Sequence, residues 1–480
     1  MKANPLTNAR FHTWSKTATT AWSRSFGITF PAVIIILLLA NLFWLAAVEA
    51  ASDSQDTRTT RPRVLSIEEC VRAALEMNPG IEAASYRIRS ARAAHRKSRA
   101  SWYPHISASG GYERTDNPAQ AFIMELNQRR LDLGDPDLDP SDPDHTQNIR
   151  LSLNARYLLY DGGQSRLGED AAQKRIEVAD HELAARRNEL VYEVRRGYYN
   201  ALRAREMISV YRQAEAQIEK SLELARNRFK EGTVLKTDVL NLEVQLARAE
   251  EDLLQAENAF RLAVAALNTS IGADIVTPEN LVSPSRQEPA GLPANPESLS
   301  VAERPELLRA AAYARAARLD ARSTRRAYRP NVEAFGSMDM DSKKASHFEE
   351  SYRVGVAAEW DIFDGHARSA ARSEASAHRR EALAVLKETR KQLELDLEDA
   401  RLTAQNASKR REVTRRALDR AEESLRTTQS LYENGAVDVT ALLSAQTAMT
   451  RSMVRHQAAR YEYLEALANL DRAAARTWPA

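Results

Sequence analysis

The chain has 480 residues, with 68 Lys and Arg against 66 Asp and Glu and a formal net charge of +2. That balance leaves no electrostatic footprint for nucleic acid, and a single Cys excludes an internal disulfide. Gly and Pro are few for this length: no Pro lies between Pro143 and Pro278, or between Pro330 and Pro479, and tracts this rich in Ala, Leu, Glu, Arg and Gln form helices.

Lys2, Arg10, Lys16 and Arg24 form a basic leader, followed by an apolar run from Ile28 to Val48. Val48-Glu49-Ala50 places small residues where a signal peptidase needs them, so residues 1–50 are expected to be a signal peptide cleaved after Ala50 and 51–64 an N-terminal linker. An uncleaved membrane anchor is the alternative. Either way the remainder is exported. No Cys directly follows the apolar run, so an acylated N-terminal Cys is not expected; Cys70 is read as an unpaired buried thiol.

A first repeat is expected over 65–276. Ser66 with Glu69 three residues on is a helix-start signal. Asn78-Pro79 interrupts that helix, because Pro79 lacks an N–H and constrains its predecessor. A second helical run ends at Pro104, where the period changes from 3.6 to 2. Strands are expected over about 105–114 and 148–160, the second with Ile149, Leu151, Leu153, Ala155, Tyr157 and Leu159 on one face and Arg150, Ser152, Asn154 and Arg156 on the other. Between them, 114–148 carries Asp116, Asp132, Asp135, Asp137, Asp139, Asp142 and Asp144. Carboxylates suit calcium, but the D-x-[DN]-x-[DN]-G spacing is missing, and the segment is read as a solvated loop. A long helix follows, about 163–230, with Leu190, Val194, Tyr198 and Leu202 at coiled-coil spacing. Gly232 ends it, and a shorter helix over about 237–270 closes at Gly272.

Residues 277–305 hold six prolines and read as a linker. A second repeat is expected over 306–476, with strands at about 331–340 and 352–362, a long helix at about 366–433 and a shorter one at about 440–475. Phe335 is the exception on the polar side of its strand. Asp161-Gly162 returns as Asp364-Gly365 and Gly232 as Gly435, both at an offset of 203; Pro79 returns as Pro305 and Pro104 as Pro330, both at 226. One structural unit has been duplicated, the first copy having a loop longer by 23 residues. Repeated units of this kind bury their faces against further units, so assembly is expected.

Strands with one apolar and one polar face, and aromatics near their ends, fit a transmembrane barrel. Four cannot close one, and a bilayer tolerates no open sheet edge. Two chains would give a cramped eight strands; three give twelve and room for a channel.

The Asn-Pro and Arg-Pro helix starts, the Trp-Tyr-Pro and Tyr-x-Pro lead-ins to the first strands, the Tyr/Phe-Asp-Gly exits and the Phe-x-x-Gly and Tyr-x-x-Gly turns together resemble the TolC-like outer-membrane efflux proteins, the outer membrane factors. The resemblance implies a mainly α fold with a small β part: two repeats of long coiled-coil hairpins, four transmembrane strands per chain, and a homotrimeric twelve-stranded barrel above a periplasmic helical tunnel. It implies a place in the outer membrane of a Gram-negative bacterium, surrounded by lipid. The partners it implies are a periplasmic adaptor (membrane fusion) protein and an inner-membrane pump, in an efflux or type I secretion system. It also implies that Gly232, Thr233, Gly435 and Ala436 form the adaptor-contacting tip, and that Tyr432, Asp238 and Thr237 form the periplasmic gate, with a Tyr432–Asp238 hydrogen bond. The family's basic residue two after the second Gly and its acids six and nine after it are replaced here by Val437, Ala441 and Ser444, which argues against strong cation binding at this entrance. Packing in the helical seam is the competing role for Tyr432.

No cofactor motif, metal-ligand spacing or nucleophile–base pair stands out, so no enzymatic role is expected. A periplasmic coiled-coil scaffold is the alternative function; it gives no reason for a row of outward apolar side chains on alternating strands.

Overall fold

The computed structural model describes residues 65–131, 145–278, 280–282 and 299–476, all within one compact unit, Val64–Ala480. The expected signal peptide, its linker, six of the seven loop aspartates (Asp132 to Asp144) and most of the proline-rich linker lie outside the described residues.

Helix α1 spans Ile67–Met77, capped reciprocally by Ser66 and Glu69. Asn78 then caps α2, Pro79–Ser98, with Pro79 in the first turn, where its missing N–H costs nothing. A short 3-10 turn, Arg99–Trp102, leads into β1, His105–Thr115. The segment read as a loop contains a helix, α3, Pro118–Asn127. Its Asn117 cap and Pro118 are a start signal, but ten residues carry too little periodicity to stand out from a surrounding polar loop. Strand β2 is Thr146–Tyr160. The 67-residue α4, Gln164–Lys230, is followed by α5, Lys236–Ile271. The second copy comprises α6 (Pro305–Arg326), β3 (Asn331–Ser342), β4 (Glu349–Glu359), the 67-residue α7 (Ala367–Glu433) and α8 (Val439–Ala473). At 1.5 Å per residue each long helix reaches about 100 Å.

The strands form one antiparallel sheet in the order β1-β2-β3-β4. His105 faces Arg156 in the first pair and Asn331 faces Glu359 in the third. These are the same positions under the two offsets, so the duplication fixes register to the residue. The row Ser109–Ser152–Asp339–Ser351 lies on one face and the row Ala108–Leu153–Met338–Tyr352 on the other. A bulge between Leu158 and Tyr160 brings Tyr160 opposite Val332 on the apolar face. Phe335 on the polar face has a local reason: a Cβ at Gly355 would come within 2.7 Å of its ring, so the ring covers bare glycine backbone across the strand pair.

Helix α3 closes against the polar face at the far end of the sheet. Gln128 donates from Nε2 to Asn148 Oδ1 at 3.0 Å and to Gln147 O at 2.8 Å. Arg129 donates to Glu350 O at 3.1 Å. At the helical end, α1, α2 and α5 pack along α4; α6 lies between α4 and α7, and α8 packs on α7 and α4. The seam residues Leu190, Val194, Tyr198 and Leu202 are buried, in a cluster with Phe260, Leu267 and Leu464. Phe229, three residues before the Gly232 turn, is exposed.

Candidate functional site

The two glycine turns are built alike. Gly232 has φ +74° and Gly435 φ +71°, left-handed values that glycine adopts without a Cβ penalty. At the first, Gly232 N–H donates to Phe229 O at 3.0 Å and Thr233 N–H to Arg228 O at 2.9 Å; at the second, Gly435 N–H donates to Tyr432 O at 3.0 Å and Ala436 N–H to Leu431 O at 2.8 Å. Both are Schellman endings, which satisfy the last carbonyls of the long helices. Thr233, Ala436 and both glycines are exposed. The helices leaving the turns are capped by carboxylates: Asp238 Oδ2 accepts from Leu235 N–H at 3.3 Å, and Asp438 Oδ1 from Ala441 N–H at 2.9 Å.

Tyr432 is 3 % exposed and packs among Leu222, Ala225, Val239, Leu242, Val439 and Leu442. Its hydroxyl has no hydrogen-bond partner among the described residues. Burial pushes its acidity below that of an ordinary phenol, with Arg228 opposing the shift and Asp238 reinforcing it. Thus Tyr432 and Asp238 are near enough to interact electrostatically, but within one chain Asp238 hydrogen-bonds its own helix start. Thr237 is exposed.

The contact that joins the two turns comes from a residue the sequence did not single out. Arg228 donates from Nη1 to Tyr432 O at 2.9 Å and from Nη2 to Glu433 O at 2.6 Å, and its Cζ lies 5.1 Å from the Tyr432 ring centre. One guanidinium from the first copy thereby covers the carbonyl end of α7, where a helix carries partial negative charge, and stacks on an aromatic face. Its counterpart in the second copy is Leu431, so the duplication offers no parallel, and an Arg in the last turn of a helix is ordinary by itself.

About two turns further from the tip lies a polar layer. Gln446 donates from Nε2 to Ser221 Oγ at 2.9 Å, Ser221 Oγ donates to Gln217 O at 3.0 Å, and Gln217 Nε2 donates to Gln429 Oε1 at 3.1 Å. It borders a cleft of about 360 Å³ lined by Tyr211, Gln245, Arg248, Asp252, Thr447 and Arg451, among others. Of the replaced latch positions, Val437 and Ala441 are half-buried and Ser444 is exposed.

The family described as outer membrane efflux protein matches residues 70–273 and 298–476. Protein CyaE of Bordetella pertussis is 26 % identical over 214 residues, which cover 45 % of this chain and 41 % of that protein. The match therefore spans about two-fifths of CyaE's own length. The probable outer membrane lipoprotein SilC of Salmonella typhimurium is 22 % identical over 397 residues, 80 % of each chain. A membrane protein from Pseudomonas aeruginosa has the same fold, with a TM-score of 0.74 at 22 % identity, over 89 % of this chain and 99 % of that one.

Proposed function

The chain belongs to the outer membrane efflux protein family, and on that premise we propose that it is the outer-membrane duct of a tripartite efflux or type I secretion system. Three copies close a barrel of twelve strands, and their helices form the periplasmic tunnel. A periplasmic adaptor protein docks at the tip and an inner-membrane pump loads the duct.

The observation that carries this reading is the unfinished sheet. Its polar face suits a water-filled lumen and its apolar face suits lipid. Among the described residues of one chain the outer edges of β1 and β4 have no strand neighbour, and in a bilayer each unpaired backbone group costs several kcal/mol. The β2–β3 pairing supplies a template for closure, because it already joins the end of one copy to the start of the next. Carrying its Leu153–Met338 pair across by the two offsets places Val356 of one protomer opposite Tyr112 of its neighbour.

At the tip, Tyr432 and Asp238 act as gate residues and Arg228 as the tie that holds the second turn against the first. The tie supplies from the first copy the basic charge that Val437 lacks. Arg228→Ala trimers in planar bilayers are expected to conduct at least twofold more than wild type, with Arg228→Lys intermediate because it keeps the charge and loses the two-pronged geometry. Trimers that conduct no ions either as wild type or as Arg228→Ala would overturn the duct; conducting trimers indifferent to Arg228→Ala would overturn the tie alone.

A further inference from the structure

Both copies reach the membrane through a helix whose exposed side is basic. Arg89, Arg92, Arg96 and Arg99 follow a 3-4-3 spacing along α2 and the turn behind it. Arg315, Arg318, Arg322 and Arg325 repeat that spacing along α6, each displaced by the repeat offset of 226. All eight are exposed. No Asp or Glu lies between Glu82 and Glu113. Between Glu306 and Glu333 the one acid is Asp320, held by Arg175 at 2.6 Å. Arg99 lies 3.5 Å from Glu169; among the described residues Arg96, Lys97, Arg322 and Arg325 have no carboxylate partner. In a chain whose charges otherwise balance, two such stripes at matching positions are a patterned surface.

Helix α6 is already flanked on both sides, by α4 and α7, and its stripe is still exposed. Helix α2 occupies the equivalent place in the first copy. The rim fixes which way the helix end faces. Tyr160, brought to the apolar face by the bulge, accepts a hydrogen bond from Arg329 Nη1 at 3.4 Å. Trp360, continuing the apolar alternation of β4, donates from Nε1 to Tyr328 O at 3.1 Å. The end of α6 is thereby fastened to the lipid-facing side of the sheet. Trp102, Tyr160, Tyr328 and Trp360 are 46 %, 44 %, 41 % and 62 % exposed at this level, a belt of the kind that marks a membrane–water interface.

We propose that Arg96, Lys97, Arg322 and Arg325, repeated around the trimer, form a collar that binds the anionic headgroups of phospholipids in the periplasmic leaflet of the outer membrane. Guanidinium forks match phosphodiester oxygens, and basic residues beside an anionic leaflet attract it additively, each by a factor of about five. The collar sets the depth of the barrel and leaves the tunnel below free to turn with its partners. It rests on the outer-membrane placement and is independent of the gate.

The test is native mass spectrometry of the full-length trimer in neutral detergent, titrated with phosphatidylglycerol, with phosphatidylcholine as the zwitterionic control and inorganic phosphate as competitor. Phosphatidylglycerol is expected to bind at least tenfold more tightly than phosphatidylcholine. R96Q/R322Q/R325Q should lose at least tenfold of that binding, while R96K/R322K/R325K retains most of it. Equal retention of both lipids, or an unaffected glutamine variant, overturns the proposal. Displacement of the lipid by millimolar phosphate overturns it in favour of a free-anion site. An unchanged lipid affinity with a shifted reversal potential in a KCl gradient would place the stripe in the lumen and also overturn it. Should the glutamine variant not form trimers, wild type decides: rising salt must strip phosphatidylglycerol, and salt-insensitive binding refutes the collar.

Discussion

At the start of α2, Asn78 donates from Nδ2 to Ser270 O at 2.8 Å, the carbonyl end of α5, and accepts Gly80 N–H at 2.8 Å. At the start of α6, in the equivalent place, Arg304 donates from Nη1 to Ala473 O at 3.2 Å, the carbonyl end of α8. Ser270 and Ala473 are themselves equivalent under the second offset. One joint has been made twice, once with an amide and once with a guanidinium. The amide is complete with two hydrogen bonds. The guanidinium is 2 % exposed and needs neutralising: Glu306 accepts from Nε and Nη2 at 3.1 and 2.9 Å, and Asp396 accepts from Nη1 at 2.7 Å. Asp396 in turn accepts from Arg472 at 2.8 Å, and Arg472 lies 3.6 Å from Glu189. The second joint therefore draws in α4 and α7 as well as the two helices it joins. A neutral cap fixes two helices, whereas a buried charge organises every element that must balance it.

The largest way to break this comparison is Arg304→Ala. It strips the partner from Glu306 and Asp396 and should cost about 3–5 kcal/mol, the range for breaking a buried ion pair. Asn78→Ala loses one cap and one hydrogen bond and should cost about 1–2 kcal/mol. Urea unfolding of detergent-solubilised protein, followed by helical circular dichroism, measures both; equal losses would mean the charged joint is no more demanding than the neutral one.

Acid should separate the joints next. Burial pushes the pKa values of Asp396 and Glu306 up, but the hydrogen bonds from Arg304 and Arg472 to Asp396, and from Arg304 to Glu306, outweigh it and hold both below the ordinary carboxylate values. A carboxyl with a depressed folded-state pKa stabilises the fold above its unfolded value, and that contribution is lost as pH falls through the folded one. The second joint should therefore weaken below about pH 4, the ordinary carboxylate range. Asn78 has no proton to exchange. The melting temperature of Asp396→Asn, lower at neutral pH, should fall less steeply with acid than that of wild type; parallel slopes would remove Asp396 from the acid response.

Much of this was legible in the chain because it depends on period and punctuation. Alternation found the four strands, and Pro79, Pro104, Gly232 and Gly435 marked the ends of helices. The offsets of 226 and 203 anticipated equivalent positions that the β1–β2 and β3–β4 registers reproduce residue for residue. The parts that were not legible depend on tertiary partners. Arg228 is one basic residue among many at helix ends until Tyr432 and Glu433 are brought beneath it. Phe335 breaks the alternation until Gly355 is seen to leave the space for its ring. Helix α3 is held by Gln128 and Arg129 reaching other strands, a cause that no local window contains. For Tyr432 the seam packing is plain, while the gate role proposed for it depends on neighbouring protomers.

The smallest difference between the copies lies just past the same joints. Gly272 ends α5 with φ +88°, and a Cβ there would meet Pro79 Cδ at 2.8 Å and Met77 O at 2.9 Å. The first copy must have glycine, for both torsion and space. Its equivalent in the second copy is Ala475, with φ +53°, whose N–H donates to Arg472 O at 3.1 Å while Arg476 N–H donates to Asp471 O at 2.9 Å. The side chain is tolerated, but the left-handed torsion costs an L-residue about 1–2 kcal/mol. Ala475→Gly relieves that strain and gives back about 0.4–1 kcal/mol through the freer unfolded chain. The expected net gain is about 0.5 kcal/mol, a rise of a degree or two in melting temperature with unchanged conductance. A loss of stability would mean that the alanine methyl makes contacts worth more than its strain. The second joint would then depend on side-chain packing where the first depends on its absence.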